Sequence, residues 1–176
     1  MNRYVIVCDC GRPSQSPSWF PDLADGRHII AVVDGDYVIP NYFRGSPPRG
    51  FIGYALKPNR FGERRDSLNL ACPAGCTPKH PPILMSTAVH AVTQVAEGMR
   101  AQGIDLAEVD VLDGEWPATR EDRDRRRRQV EAGLFGETYE GPPPKMVPQY
   151  TRRVAIPWNL FKASVSRLPK QRPRTR

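Results

Sequence analysis

The sequence predicts an α+β domain: an antiparallel, zinc-clipped sheet with one packed helix, a peripheral charged helix and a basic C-terminal arm. Three observations carry that expectation. The first half of the chain is built of short β-branched runs separated by turn residues. One clear helical apolar face follows at 85–101. Four cysteines fall in two close pairs, Cys8 with Cys10 and Cys72 with Cys76, each just beyond an apolar stretch.

Taken in order, "RYVIVC" at 3–8 reads as a buried strand, and residues 11–26 as a loop anchored by Trp19 and Phe20. "HIIAVVDGDYVIP" at 28–40 reads as a hairpin, because Asp34-Gly35 supplies the positive φ that a primed turn requires. "FIGYAL" at 51–56 and "DSLNLAC" at 66–72 are further strand candidates. From Met85 to Arg100 the apolar residues fall at 85, 88, 89, 92, 95, 96 and 99, one face of a helix. Ser86 or Thr87 is expected to cap it, and Gly103 to end it in the left-handed conformation.

A strand is expected through Val109–Leu112. A second helix is expected from about Ala118 to Leu134, with Thr119 as N-cap and Asp122 three residues on. Beyond Gly136 the Pro-rich "ETYEGPPPKMVPQY" cannot be helical. "TRRVAIPW" suggests an edge strand, and "PWNLFKASVSRL" a short helix with Pro157 in its first turn. The domain reading is therefore 1–136 for the zinc-stabilised body and 137–176 for a linker and basic extension.

Composition limits the class. The chain has 176 residues, 39 % of them apolar and 19 of them proline, which implies a modest core that benefits from a staple. No apolar run is long enough for a membrane span, and no leader-like segment opens the chain, so a cytoplasmic protein is expected. There thiols stay reduced, and paired cysteines favour a metal over disulfides. The net charge of +7 is uneven: residues 141–176 hold nine Lys or Arg and no Asp or Glu. A polyanion or an acidic protein surface suits such a segment.

In an extended strand residues two apart share a face, so Cys8 and Cys10 can present both thiolates to one ion. In "CPAGC", Pro73 and Gly75 turn the chain so that Cys76 returns towards Cys72. Four thiolates about 2.3 Å from Zn²⁺ make a closed structural site. The plan resembles zinc ribbons, two knuckles on neighbouring hairpins, but C-x-C and C-x-x-x-C depart from the usual spacing. Free structural thiols, an iron–sulfur centre and disulfides are the alternatives. His80 is a possible substitute ligand, or simply a surface histidine.

A closed site has no open coordination position, so no catalytic residues are assigned. His28 and His90 read as an exposed strand start and a helix-face residue, and Asp34 and Asp36 as turn chemistry. A hydrolase or nuclease built on His28 and those aspartates is the enzymatic alternative.

In "REDRDRRRRQVEAG", Glu121–Arg125, Asp122–Arg126 and Asp124–Arg128 are i,i+4 pairs that favour a self-paired, solvated face over phosphate contact. The C-terminal cations lack such compensation. Arg152, Arg153, Lys162, Arg167, Lys170, Arg172, Arg174 and Arg176, with Trp158 and Phe161 among them, suit phosphates plus base stacking, or an apolar anchor on an acidic protein. The same aromatics also suit the body's own core. The expected function is a non-enzymatic, zinc-stabilised nucleic-acid-binding or nucleoprotein-associated adaptor. The alternative is a protein-interaction module acting through the C-terminal arm.

Overall fold

The computed structural model describes residues 3–15, 18, 20–41, 67, 68, 70–76 and 82–169. The expected strand at 51–56, Trp19, His80 and the tail cations Lys170, Arg172, Arg174 and Arg176 lie outside the described residues. No helix among the described residues is long and apolar enough to cross a membrane.

The fold is α+β. Strands β1 (Arg3–Cys8), β2 (His28–Asp34), β3 (Tyr37–Pro40), β6 (Glu108–Pro117) and β7 (Met146–Pro157) form a five-stranded sheet in the order β3-β2-β1-β7-β6. Strands β4 (Ser67–Leu68) and β5 (Ile83–Leu84) form a separate antiparallel pair. Three helices complete it: α1 (Met85–Ala101), α2 (Arg120–Leu134) and α3 (Trp158–Arg167).

The sheet is mixed, which corrects the antiparallel expectation. β1 pairs antiparallel with β2 but parallel with β7, through Tyr4↔Val154 to Val7↔Pro157. "TRRVAIPW" is therefore not an edge strand; it lies between β1 and β6. The segment 137–176, read from the sequence as linker and extension, contains both β7 and α3. The contact pattern divides the chain into Met1–Asp110 with Arg152–Arg176, and Val111–Thr151.

In the first unit both faces of the sheet are buried. The row Tyr4, Val33, Val38 joins the main core, and the row Val5, Val32, Ile39 on the opposite face is buried too. Burial on both faces explains why "RYVIVC" and "HIIAVV" are continuous apolar runs rather than alternating ones. The Gly35-Asp36 turn has positive φ at Gly35 alone, the pattern of a Gly-first II′ hairpin.

α1 begins and ends where its apolar period does. Its small face, Ala88, Ala91, Val92 and Ala96, is buried. Ser86 and Thr87 do not cap it, because the helix starts straight from β5 with Leu84 at the N-cap position. At the other end Gly103 has φ +70°, its N–H donates to the Arg100 carbonyl, and the Ile104 N–H donates to that of Met99. That is a Schellman closure, as the glycine predicts.

Two helices, not one, pack on this core. α3 buries Trp158, Phe161 and Ser164, and the Ser164 hydroxyl donates to the Ala91 carbonyl of α1 at 3.3 Å. A fully apolar contact there would leave that hydroxyl unpaired.

In the second unit Thr119 caps α2 as expected. Its hydroxyl accepts from the Asp122 N–H at 3.1 Å and donates to the Asp122 carboxylate at 2.8 Å. Asp122 also accepts from the Lys145 N–H at 2.8 Å, which fixes the helix start to the chain leading into β7. These donors hold its carboxyl below the usual carboxylate range, against the opposing effect of burial.

Candidate metal centre

The parallel register of β1 and β7 builds the site. Val7 opposite Pro157 brings the end of β1 beside the first turn of α3. Cys8 ends β1 on the core face, in alternation with Tyr4 and Ile6, and Cys10 follows in the loop. The second pair comes from the Cys72–Cys76 turn. There the Gly75 N–H donates to the Cys72 carbonyl at 2.9 Å, and Gly75 has φ +64°. The Gln15 N–H donates to the Pro73 carbonyl at 3.0 Å, which ties the loop after Cys10 to this turn.

The four sulfurs converge. Cys8 Sγ is 3.4 Å from Cys76 Sγ, and Cys10 Sγ is 4.0 Å from Cys72 Sγ. All four lie within 4.8 Å of one another. The sequence expectation that residues 8, 10, 72 and 76 share one site therefore holds in geometry, and a metal ion fits it. Four sulfurs about 2.3 Å from one ion at tetrahedral angles are about 3.8 Å apart, inside the observed range. The separations are far beyond an S–S bond of about 2.05 Å, so no disulfide joins these four cysteines. A four-iron cluster attaches each thiolate to a different iron and so spreads them more widely.

The electrostatics ask for a cation. Burial pushes the Cys8 thiol far above its ordinary range, and its neighbours Cys76 and Cys72 push it further. Burial likewise raises Cys72 to about 11. Four thiols this close, two of them buried and two half-buried, cannot all ionise alone; a dication among them reverses the balance. The sulfurs open on a cleft of about 430 Å³ that Cys8, Cys10 and Cys76 share with Arg12, Trp158 and Lys162. Lys162 Nζ stands 5.4 Å from the Trp158 ring centroid. A dication held by four thiolates would keep a net charge of about −2, and the cleft lining sets Arg12 and Lys162 against a single acid, Asp9.

His28 is buried, not exposed as the sequence suggests. It stands opposite Cys8 on β2, with Nδ1 2.8 Å from Asp22 Oδ1 and Nε2 2.5 Å from the Arg12 carbonyl. Burial lowers its pKa, but the Asp22 carboxylate and the Arg12 carbonyl outweigh that and raise it overall. Both ring nitrogens face acceptors, so the ring fastens the Arg12–Asp22 loop to the sheet. Its acidic neighbour is Asp22 rather than Asp34 or Asp36. His90 is exposed on α1.

The expected partner-binding residues separate into two groups. Arg153 is buried: its guanidinium reaches Asp34 through Nη1 at 2.7 Å and Nη2 at 3.1 Å, and Nη1 also donates to the Val33 carbonyl. Trp158 and Phe161 are buried too, stacked with centroids 5.6 Å apart. These three serve the core and are not available to a partner. Arg152 is exposed beside Glu108 and Asp110, Arg167 is exposed, and Lys162 is half-buried. Arg12 and Asp22 were not singled out in the sequence; the only signal was that both flank loop segments leading from Cys10 to His28.

On α2 one of the three expected i,i+4 pairs forms, Glu121 with Arg125. Arg127 turns instead to Asp124 at 3.2 Å, and Arg126 to Gln129 at 2.8 Å.

No protein-family model, curated protein or solved structure matches the chain.

Proposed function

We propose that Cys8, Cys10, Cys72 and Cys76 hold one Zn²⁺ as a closed structural site, and that the protein is a non-enzymatic adaptor that acts by binding nucleic acid or a nucleoprotein. The observation that carries the first part is the four-sulfur cluster, all within 4.8 Å. Thiolate ligands with no carboxylate or imidazole among them favour zinc over hard cations. With four protein ligands the ion has no open position for substrate, which supports a structural role over a catalytic one.

Charge supports the second part: the net +7 of the chain and the exposed Arg12, Arg152 and Arg167. Burial of Trp158 and Phe161 removes the stacking platform from that reading, so backbone contact is the mode it retains. A second reading, a protein-interaction module, is favoured by the exposed apolar side chains of Val111–Thr151.

Native mass spectrometry tests the metal: one zinc per chain is expected, and four alkylatable thiols after denaturation. Binding of a labelled 20-mer duplex and single strand across a salt series tests the partner. Affinity should fall linearly on a log–log plot with salt. Removing residues 170–176 should weaken it while β7 and α3 stay in place. Salt-independent binding, or none to either strand form, would contradict the nucleic-acid part.

A further inference from the structure

Five of the six exposed large apolar side chains lie in one short stretch of chain. Trp116, Val130, Leu134, Phe135 and Tyr150 all belong to Val111–Thr151, and only Ile104 lies elsewhere among the described residues. In that unit only Val111 and Asp122 are buried. Leu134 and Phe135 are each 78 % exposed at the end of α2.

The exposed side of α2 has a pattern. Arg120, Arg123, Arg127, Val130 and Leu134 are all exposed, and they step by three, four, three and four. At 3.6 residues per turn they fall within about 80° of the helix circumference. Buried Asp122 is turned about 120° from the middle of that stripe. No acid lies within the stripe; Glu131 stands at its margin. Arg127 leans on Asp124, while Arg120 and Arg123 make no salt bridge among the described residues. Alternating steps of three and four are the seam that one helix offers to another.

We propose that this stripe docks a helical segment of another protein, with acidic side chains against Arg120, Arg123 and Arg127 and apolar ones against Val130 and Leu134. A second copy of this chain does not fit. Side by side in parallel, its arginines meet arginines; antiparallel, they meet Val130 and Leu134 and lose their water unpaired. A nucleic-acid backbone matches the arginines but leaves Val130, Leu134 and Phe135 uncovered. Only a partner acidic at one end and apolar at the other satisfies the whole stripe. This names a partner class for the adaptor reading and rests on it, but it does not depend on zinc.

The probe is a fluorescent helical peptide of about 18 residues carrying three Glu and then two Leu at the same three–four spacing, made in both sequence directions. Anisotropy should show saturable binding in one direction. Leu134→Asp should weaken it at least about tenfold, with the circular dichroism of the protein unchanged. Arg123→Glu should weaken it similarly, and a peptide with Lys in place of the facing Glu should restore binding to that variant. The proposal is overturned if neither peptide saturates, if Leu134→Asp has no effect while Arg123→Glu abolishes binding, if a DNA duplex binds the stripe as well as the peptide, or if the protein self-associates through Leu134. Protein that purifies without zinc yet binds the peptide refutes the metal reading alone. A zinc-loaded chain that does not bind it refutes this proposal alone.

Discussion

Replacing Cys72 and Cys76 together with serine removes one half of the proposed zinc site. The magnitude follows from the chain the site closes. Cys8 and Cys76 are 68 residues apart, and Cys10 and Cys72 are 62. Cross-linking a loop of that length takes about 4 kcal/mol of conformational freedom from the unfolded chain. Against a total stability of roughly 5–15 kcal/mol, that is a large share. It corresponds to a fall in Tm of roughly 8–16 °C for a protein of this size. Thermal melts by circular dichroism, with and without a zinc chelator, read it directly. The chelated parent and the double variant should melt at the same lowered temperature. The chelator should do nothing further to the variant, and added zinc should rescue only the parent. A parent whose melting ignores the chelator would refute the reasoning. So would a variant that melts with the parent.

Arg153→Met should destabilise by about 3 kcal/mol, since it strands the Asp34 carboxylate at the end of β2; urea denaturation of the variant against the parent checks it. Trp158→Ala should cost about 3–5 kcal/mol because the ring is buried against Phe161, and a variant as stable as the parent would show that the ring is not part of the core. Asp122 is held below its ordinary pKa, so its contribution is present above about pH 4 and lost as the pH falls through the lowered value. The protection factors of the amides in the first turn of α2, taken against the intrinsic exchange rate at each pH, should therefore fall in acid. In Asp122→Asn those protection factors should already be lower at neutral pH and change less on acidification.

Local structure was largely legible in the sequence, while long-range placement was not. β1 and α1 match their expected spans, because an unbroken β-branched run and a clean 3.6-residue period each admit one reading. Gly35, Gly75 and Gly103 take positive φ where turn chemistry asks for it. The sulfur cluster was legible because spacing alone puts each pair on one side of its turn. Strand order was not, since nothing in "TRRVAIPW" tells an edge strand from one seated beside β1. Arg153 shows why: its partner Asp34 is 119 residues away, and a run holding two arginines looks like surface. The same gap hid His28, which reads as an exposed strand start until Asp22 and the Arg12 carbonyl close over it. Trp158 and Phe161 were compatible with core or partner, and only the register of β7 against β1 decides for the core.

X-ray absorption at the zinc edge on the purified protein examines the centre most directly. The account predicts one zinc per chain with a single shell of four sulfurs at about 2.3 Å. A shell containing nitrogen or oxygen, or a chain that carries no zinc with all four thiols free, would contradict it.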